Sequence, residues 1–551
     1  MSVGAPIPTA WTTGTTEVLK TGTWRAALPR YVSAPSPCHL ACPVAGESAE
    51  WIGRVRERDF RGAWEILVRN NPFPATAGRI CHRPCEGACN RSGFDSSLAI
   101  RALERHVGDR AIAEGWRFPP PPSERAEPVA VVGGGPSGLS AAYHMRRRGY
   151  RVALFERERE LGGLMRYGIP AYRLPRAVLD AEIDRILALG IDLRLGAAID
   201  RPEDLARLRA EFGAVYLAVG AGRQKRLQTL DYEKPWAIDG AAWLRRANAG
   251  RPPALGPRLA VVGGGSAAID VARGARRFGH EVTLIALERE GEMLAQRSEI
   301  EEAIEEGVRL QDGAMIERVT ERGAKSLALE CVRVDFIAGA ERGSFRVERI
   351  AGSEFRIAAD AVVSAIGQDP DLGAIEGALS TRRALIETGE AQTTSAPDLY
   401  AGGDAASMER FVTAAIGMGR RAALAIDASF AAARRERGAA SERPVPLAAI
   451  ATFYYPKGER PCERRLGVEE RLRGEAEVEF GILPEEAPRE AERCFSCGTC
   501  IFCDNCFLYC PDLAVRRIPS GYEVLGDYCK GCGICVKECP TGSMEMAEEL
   551  R

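Results

Sequence analysis

Two short apolar runs in the middle of the chain each lead directly into a glycine-rich turn. The first run spans 128–132 and the second spans 259–262. A continuous apolar run of this length is typical of a strand buried on both faces, as in a parallel sheet. The residues after each turn predict a helix, and the mainly apolar stretches 151–155 and 281–285 predict the strands that follow. The pattern therefore predicts two strand-turn-helix-strand units.

The first glycine-rich turn has the spacing that a dinucleotide requires. Gly133 is expected to make the tight turn, Gly135 to let the backbone approach a pyrophosphate, and Gly138 to allow close packing of helix on strand. Glu156 ends the next strand, where its carboxylate can accept hydrogen bonds from a ribose diol. A purely structural turn is the alternative. The predicted binding residues are Gly133, Gly135, Pro136, Ser137, Gly138 and Glu156.

The second turn repeats this arrangement between its own strand and helix. Its predicted binding residues are Gly263, Gly265, Ser266 and Ala268. Because the flanking strands and helix are also repeated, we expect the chain to bind two dinucleotides.

Ten cysteines near the C-terminal end form one repeating pattern. Three cysteines spaced two apart can wrap one iron-sulfur cube, and a fourth, three residues on and followed by proline, ligates the other cube. The motif occurs twice and predicts a two-cluster electron-transfer module. A disulfide framework is the alternative, but such chains are usually short and secreted, and we see no signal peptide. The predicted ligands are Cys500, Cys503, Cys506, Cys510, Cys529, Cys532, Cys535 and Cys539.

Length and charge narrow the class of protein. At 551 residues the chain should divide into three or more domains. Its net charge of −2 argues against a general nucleic-acid or membrane-surface binder. No run of eighteen apolar residues occurs, so no membrane span is expected. Without a targeting segment, and with oxygen-sensitive cysteines, the cytoplasm is the expected location.

Two further segments carry a family resemblance. The stretches 161–175 and 78–91, together with Gly402-Gly403-Asp404, resemble the two-dinucleotide flavoproteins and, among them, the glutamate synthase small subunit, over about 35–435. The resemblance implies FAD in the first unit and a nicotinamide in the second. The cysteine-rich tail departs from that subunit. Further cofactor contacts implied by the resemblance are Gly163, Leu164, Arg173, Gly220, Gly367, Gly403, Asp404 and Thr413.

The same resemblance implies [4Fe-4S] clusters near the N-terminus. One cube would take Cys42, Cys81 and Cys85, with Glu104 as its fourth ligand. The family's other cube needs a CxxC pair before Cys38, and this chain has none, which leaves only Cys38 and Cys89.

The surplus tail cysteines Cys494 and Cys497 stand in a segment that resembles the missing CxxC pair. Our hypothesis is that the tail completes the second N-terminal cube in space. The N-terminal domain is therefore expected to hold one or two cubes. A vestigial pair and a zinc site are the alternatives.

Two more expectations concern substrate choice. Only Cys331 and Cys462 lie between residues 90 and 493, so no CxxC stands beside the flavin and the chain should not reduce thioredoxin-like disulfides. In NADPH-using relatives paired arginines bind the 2′-phosphate, whereas here Leu287 and Glu288 occupy those positions. A carboxylate repels a phosphate by about 1–3 kcal/mol. We therefore expect NAD(H) over NADP(H), with Glu288 at the ribose; the alternative is that Arg289, also a predicted cofactor contact, and Arg297 reach a 2′-phosphate.

Proline-rich and polar stretches indicate the predicted domain boundaries. Prolines 119–122 read as a stiff linker, and a polar, proline-containing stretch precedes the tail. The fold class is α/β, with two Rossmann-like domains preceded by a helical iron-sulfur domain and followed by a ferredoxin-like domain. The predicted parts are the helical iron-sulfur domain 1–122, the FAD-binding domain 126–240 and 379–437, the NAD(P)-binding domain 241–378, a linker 438–490 and the ferredoxin-like domain 491–551.

These features predict a subunit that passes electrons between a nicotinamide and a partner. FAD would stand between them, because a nicotinamide passes a hydride and an iron-sulfur cube passes single electrons. No acid-base residue is nominated. The favoured partner is a thiamine-dependent 2-oxoacid oxidoreductase, and the alternatives are a glutamate synthase large subunit, a reductase acting on sulfite or aromatic thioesters, and a soluble ferredoxin. A cluster-carrying scaffold without flavin turnover is the binding-class alternative.

Overall fold

The computed structural model describes residues 20, 22, 25–323, 326–340, 343–375, 377–431 and 443–549. The first nineteen residues of the predicted N-terminal domain and the start of the predicted linker, 438–442, lie outside the described residues. None of the described helices is both long enough and apolar enough to cross a membrane.

The N-terminal part is helical, as predicted. Its core is built around Trp51, Trp64 and Phe73, all buried. Its elements are β1 (Ala27–Tyr31), α1 (Pro37–Ala41), α2 (Ser48–Arg56), α3 (Phe60–Leu67), α4 (Pro74–Ile80), α5 (Pro84–Gly87) and α6 (Ile100–Ala113).

The first dinucleotide unit forms a parallel sheet, and both predicted strands are confirmed. The sheet order is β19 (Leu399–Ala401), β5 (Ala214–Leu217), β2 (Pro128–Val132), β3 (Arg151–Glu156) and β4 (Asp192–Leu195). The elements before the chain leaves this sheet are β2 (Pro128–Val132), α7 (Pro136–Arg147), β3 (Arg151–Glu156), α8 (Leu164–Tyr167), α9 (Arg176–Leu187), β4 (Asp192–Leu195), α10 (Pro202–Glu211), β5 (Ala214–Leu217) and β6 (Arg223–Gln224).

The second unit is inserted between β5 and the returning strand β19. It holds a parallel sheet in the order β10 (Arg309–Gln311), β9 (Glu281–Ile285), β8 (Arg258–Val262), β15 (Ala361–Ser364) and β7 (Ala237–Asp239), and an antiparallel sheet of strands between 314 and 359. Its elements are β7 (Ala237–Asp239), α11 (Gly240–Asn248), β8 (Arg258–Val262), α12 (Ser266–Arg277), β9 (Glu281–Ile285), α13 (Arg297–Glu305), β10 (Arg309–Gln311), β11 (Ala314–Glu321), β12 (Leu327–Ala338), β13 (Phe345–Arg349), β14 (Phe355–Ala359), β15 (Ala361–Ser364) and β16 (Gln368–Asp369).

The chain then completes the first sheet. Strand β16 pairs antiparallel with β6, so the outgoing and returning connections between the two units run side by side. Helix α14 packs along α7, where Gly419 comes so close that a Cβ would lie 2.1 Å from the Ser137 carbonyl oxygen. The returning elements are β17 (Thr381–Arg382), β18 (Leu385–Ile386), β19 (Leu399–Ala401) and α14 (Val412–Phe430).

The segment after residue 443 folds back onto the N-terminal helices. Arg79 pairs with Glu477 at 2.7 Å, and Arg101 pairs with Glu463 at 2.9 Å and Glu479 at 2.8 Å. The polar composition of 438–490 predicts a linker, but acids in its described part, 443–490, pair with buried arginines of α4 and α6. The elements are β20 (Arg464–Arg465), α15 (Val468–Arg471), β21 (Glu479–Gly481) and α16 (Glu486–Glu492).

The cysteine-rich tail is joined to the beginning of the chain. Its last strand pairs antiparallel with β1, so that Tyr31 lies opposite Met544. The ring of Tyr31 also meets Tyr522 edge-on. The tail elements are α17 (Asn505–Leu508), β22 (Val515–Ile518), β23 (Gly521–Val524), α18 (Ile534–Lys537) and β24 (Met544–Glu548).

Candidate cofactor sites

Packing within the protein explains the first and third positions of both glycine-rich turns. Gly133 has φ +106°, and a Cβ there would lie 2.2 Å from the Ala218 carbonyl oxygen. A Cβ at Gly138 would lie 1.8 Å from the Gly133 carbonyl oxygen. In the second turn Gly263 has φ +141°, and Ala268 is buried against it. These residues are therefore needed to bring the helix onto the strand.

The second position of each turn has no such explanation. A Cβ at Gly135 would meet only the Gly163 Cα, at 3.9 Å, and a Cβ at Gly265 would meet no described atom within 4 Å. Both residues have negative φ, −79° and −98°. Each precedes a twelve-residue helix, whose N-terminal N–H groups favour an anion. The open space therefore fits a pyrophosphate at both turns.

An acid stands beside each turn at the end of the second strand. Glu156 is buried and accepts hydrogen bonds from the backbone N–H groups of Gly134 at 2.6 Å and Glu158 at 2.8 Å. Glu288 is also buried, and a Cβ on Gly264 would lie 2.4 Å from its Oε2. Burial raises the pKa of Glu288. The two carboxylates thus hold equivalent positions, each fit to receive a ribose.

Arg289 and Arg297 each lie close to an acidic residue of the protein. The Arg289 guanidinium covers Gly313 and lies 3.9 Å from Asp335. Arg297 is exposed and pairs with Glu301 at 2.9 Å. Of these three side chains, only that of Glu288 therefore lies against the second turn.

Three other predicted contacts of the nucleotides are already engaged within the protein. The Ser137 hydroxyl lies 2.7 Å from the Tyr216 hydroxyl, and Ser266 donates to Glu299 at 2.6 Å. Arg173 bonds both oxygens of Asp270, at 2.7 and 2.8 Å, and also pairs with Glu299. Arg173 therefore joins the first unit to helices α12 and α13 of the second.

The remaining predicted contacts of the first unit lie around its glycine-rich turn or at strand ends. Gly163, with φ +52°, packs on Gly135, and Gly403, with φ +68°, packs on Ser137. Burial raises the pKa of Asp404, and Arg410 opposes that rise. Pro136 starts α7, Leu164 is exposed, and Gly220 and Gly367 have positive φ after β5 and β15.

One group of N-terminal side chains contains the predicted ligands Cys42, Cys81, Cys85 and Glu104. Burial raises the pKa of Cys42 to about 12, and the charges of Glu104 and Cys81 contribute. Burial also raises the pKa of Cys85, with contributions from Cys42, Cys81 and Glu104. Three thiols and one carboxylate therefore converge, and they offer the anionic donors that an iron-sulfur cube takes.

This first group lies against the helix that follows Asp404. The Cys81 thiol is 3.8 Å from the Thr413 hydroxyl, at the start of α14. A Cβ at Gly417 would lie 2.1 Å from the Pro43 carbonyl oxygen. The ring of His82 stacks on Phe411 with centroids 3.8 Å apart. The thiol group therefore borders the predicted FAD site directly.

A second group brings N-terminal and tail cysteines together. The Cys494 and Cys497 thiols have their pKa raised by burial, and Cys38 and Cys89 contribute to both shifts. The Asn90 amide donates to the Cys497 thiol at 3.4 Å.

The other eight tail cysteines form two groups that interleave along the sequence. Burial raises the pKa of Cys506 to about 12, with contributions led by Cys539, Cys500 and Cys503. Burial likewise raises the pKa of Cys535 to about 12, with contributions from Cys529, Cys510 and Cys532. Among the described residues no three His, Cys, Asp or Glu side chains are arranged to hold a single metal ion. A cube takes one ligand at each of four corners, so its ligands stand farther apart.

Cys331 and Cys462 remain apart from these groups. Cys331 is buried on β12, and Cys462 is exposed in the segment before β20. No dithiol for disulfide reduction is therefore formed by these two residues.

Sequence reasoning missed two amides that touch predicted ligands. Asn71 donates to Glu104 at 2.7 Å, and Asn90 donates to Cys497. Their partners are 33 and 407 residues away in sequence, so no local pattern could indicate them.

Family models match three parts of the chain. The pyridine nucleotide-disulphide oxidoreductase model matches residues 127–419, more than half of the chain. The 4Fe-4S cluster domain II of dihydropyrimidine dehydrogenase matches 31–116, and a 4Fe-4S binding domain matches 522–545.

Curated relatives extend over most of the chain. The NADP(+)-dependent formate dehydrogenase subunit beta of Moorella thermoacetica is 32% identical, covering 84% of this chain and 70% of the relative. The NADPH-Fe(3+) oxidoreductase subunit beta of Geobacter sulfurreducens is 32% identical, covering 84% and 75%. The glutamate synthase [NADPH] small chain of Mycobacterium tuberculosis is 31% identical, covering 71% and 85%.

The second glycine of each turn allows the two dinucleotide sites to be tested separately. We expect Gly265→Ala to weaken nicotinamide binding at least about tenfold while flavin content stays unchanged, because the methyl group occupies the space for the pyrophosphate and clashes with no protein atom. Gly135→Ala should lower flavin content instead. Flavin absorbance and NADH titration measure both, with Gly53→Ala in α2 as a control at another uncrowded glycine. Equal effects of the two turn variants on both ligands would contradict this assignment.

The matched families agree with the fold and the donor groups. Two Rossmann-like sheets, each with a glycine-rich turn and an acid, account for two dinucleotides, and clustered thiols account for the iron-sulfur domains. The chain therefore belongs to the pyridine nucleotide-disulphide oxidoreductase family and is an oxidoreductase that binds FAD, NAD(P) and 4Fe-4S clusters.

Proposed function

We propose that this chain is the subunit that carries electrons between NAD(H) and a catalytic partner subunit, through FAD and four [4Fe-4S] cubes. The observation that carries the proposal is the gathering of the predicted ligands in four groups, the first of which borders the FAD site through Cys81 and Thr413. Bound FAD supplies the conversion between hydride and single electrons. The open glycine-rich turns argue against a scaffold that has lost flavin turnover.

Successive groups are joined by neighbouring cysteines. Cys38 and Cys42 are four residues apart on one helical turn, and Cys497 and Cys500 are three apart. Cys506 and Cys510 link the two tail groups in the same way. This arrangement supports a continuous relay from the flavin through the N-terminal domain into the tail.

Glu288 supports a preference for NAD(H). Its carboxylate is buried beside Gly264, where a 2′-phosphate would be repelled, whereas a ribose hydroxyl could donate to it. The relatives named for NADP(+) or NADPH use the phosphorylated cofactor, so this preference is a property proposed for the present chain.

We expect Glu288→Gln to reduce the ratio of kcat/KM for NADH to that for NADPH by about tenfold, because the variant removes the charge that repels the phosphate. Steady-state reduction of an artificial dye measures the ratio. Glu290→Gln, at an exposed acid of the same loop, is the control and should leave the ratio unchanged. A wild-type preference for NADPH would refute the proposed cofactor choice.

The tail supports an exit for electrons at its surface. Cys503 and Cys532, one from each tail group, are exposed. Large apolar side chains close in sequence to Cys506 and Cys510, one cysteine from each group, are exposed as well, among them Leu508 at 65% and Leu513 at 78%. A partner that covers these side chains would exclude water next to both cubes. We therefore propose that the catalytic partner subunit binds over these residues.

Replacing Leu508 and Leu513 by Asp should slow electron transfer to the partner at least about tenfold, because charge at the centre of an apolar contact weakens association. NADH oxidation with a dye that accepts from the flavin should not change. The matched control is Phe345→Asp, at an apolar residue of β13 that is 55% exposed. Unchanged transfer to the partner in the double variant would place the exit elsewhere.

The partner itself has two main candidates. The ferredoxin-like tail favours a thiamine-dependent 2-oxoacid oxidoreductase, which would pass its electrons to NAD⁺. A formate dehydrogenase catalytic subunit is the second candidate, because the Moorella relative of that name matches 84% of this chain. The glutamate synthase small chain covers 71%, which gives it less support.

Anaerobic affinity purification of the native complex, followed by mass spectrometry, tests the partner. Thiamine-dependent subunits that co-purify in a fixed ratio would support the first candidate, and a formate dehydrogenase subunit would support the second. A glutamate synthase large subunit would overturn both and reverse the direction of electron flow. A chain that purifies alone, with full NADH-dependent reduction of added ferredoxin, would refute a fixed catalytic partner.

A further inference from the structure

We propose that Cys38 and Cys89 of the N-terminal domain and Cys494 and Cys497 of the tail together hold one [4Fe-4S] cube. This cube would be shared between two distant parts of the chain and would be complete only when the tail is docked. The inference rests on the proposed electron-transfer function and adds to it a specific link between the flavin side and the tail.

Neither part of the chain can hold this cube alone. The first N-terminal group already uses Cys42, Cys81 and Cys85, which leaves two thiols on that side. The two ferredoxin-like motifs use eight tail cysteines and leave Cys494 and Cys497. A cube takes one ligand on each of its four irons. The two remaining N-terminal cysteines and the two remaining tail cysteines therefore supply the four ligands of one cube.

A direct contact joins the two sides at the thiols themselves. Asn90, the residue after Cys89, donates through its amide to the Cys497 thiol at 3.4 Å and to the Val445 carbonyl oxygen at 2.9 Å. On the same side, the Ser36 hydroxyl lies 3.1 Å from the Cys38 thiol. Partly buried Cys38, Cys89 and Cys494 pack against one hydrophobic core.

Backbone contacts fix the start of the Cys494–Cys497 loop. Buried Arg91 donates to the Arg493 carbonyl oxygen at 2.6 Å. Arg493 in turn donates to the Ser96 carbonyl oxygen at 2.7 Å and pairs with Asp95 at 3.1 Å. These contacts therefore hold the start of the loop against the N-terminal domain.

Equally close contacts fix the end of the loop. Gly498 has φ +72° and donates to the Thr541 carbonyl oxygen at 2.7 Å. A Cβ on Gly498 would lie 1.9 Å from the Ala34 carbonyl oxygen, so the tail loop touches the chain just before Cys38. The Tyr455 hydroxyl donates to the Phe495 carbonyl oxygen at 3.1 Å. Only a glycine fits at position 498 in this docked arrangement.

The electrostatics agree with a shared site. Burial raises the pKa of Cys497 to about 12, and both Cys38 and Cys89 contribute to the rise. Burial raises the pKa of Cys494 as well, with contributions from Cys497, Cys38 and Cys89. The four thiols therefore lie close together, and the positive charge of the irons would stabilise them as thiolates.

The position of this cube makes it the central step of the relay. Cys38 lies one helical turn from Cys42 of the first group, and Cys497 lies three residues before Cys500 of the first tail group. Without the shared cube, no electron carrier would lie between the first N-terminal group and the first tail group. We therefore expect its removal to isolate the two tail cubes from NADH.

Iron counting in full-length protein, purified and reconstituted anaerobically, tests whether the four cysteines share one cube. Cys38→Ala and Cys494→Ala should each remove about four irons per flavin, and the double variant should also remove about four, because both residues would hold the same cube. Cys462→Ala, at an exposed and isolated cysteine, is the control and should remove none. A loss of about eight irons in the double variant, or no loss, would overturn the proposal.

Serine variants keep the test valid if the alanine variants do not fold. Cys38→Ser and Cys497→Ser should each shift the electron paramagnetic resonance signal of one and the same cube, since a serine oxygen can replace a thiolate. Shifts in two different signals would contradict a shared site. If the wild-type chain instead contains one zinc ion and the Cys494→Ala variant loses it, these cysteines form a zinc site and the proposed cube is wrong.

NADH reduction separates this inference from the proposed function. In the Cys494→Ala variant NADH should still bleach the flavin at the wild-type rate, while freeze-quenched samples should show at least a tenfold slower reduction of the tail cubes. Unchanged reduction of the tail cubes would overturn the shared cube as the central step. Failure of NADH to bleach the flavin of the wild type would instead overturn the proposed function.

Discussion

Buried arginines on the N-terminal helices hold the returning segment in place, and the position of the tail thiols relative to the N-terminal thiols depends on them. Arg79 and Arg101 pair with Glu477, Glu463 and Glu479 of that segment. Removing one partner of a buried ion pair typically costs about 3–5 kcal/mol, because the other charge is left without compensation. These pairs therefore oppose separation of the tail from the N-terminal domain.

The same docking agrees with the proposed role of this chain as one electron-transfer unit. The first described strand pairs with the last strand of the tail, and Arg91 and Arg493 connect the two regions close to the thiols. A one-electron relay needs fixed, closely spaced carriers, whereas a tail on a loose linker would sample many positions. The buried charge pairs supply that rigidity with residues that take no part in the redox chemistry.

Local patterns allowed the two dinucleotide units and the tail motifs to be predicted. Strands β2, β3, β8 and β9 match the mainly apolar stretches because burial on both faces favours apolar residues along the middle of each strand. The second-position glycines, Gly135 and Gly265, also follow from the sequence, since their spacing is set by the ligand and the helix N-terminus.

Pairings across the fold could not be predicted in the same way. The composition of 438–490 predicts a linker, because acids that pair with buried arginines look the same in sequence as acids in solvent. The family resemblance implies that Arg173 contacts a cofactor, whereas in the structure its guanidinium bonds Asp270 and Glu299. The contact of Asn90 with Cys497 spans 407 residues and depends entirely on docking. Counting unmatched cysteines could suggest the shared group, but only the fold brings its members together.

The most direct test of this account is an anomalous-scattering map, recorded at the iron absorption edge from anaerobic crystals of the full-length protein. The account predicts four iron sites, one of which lies between Cys38 and Cys89 on one side and Cys494 and Cys497 on the other. Three iron sites, with none at that position, would contradict it.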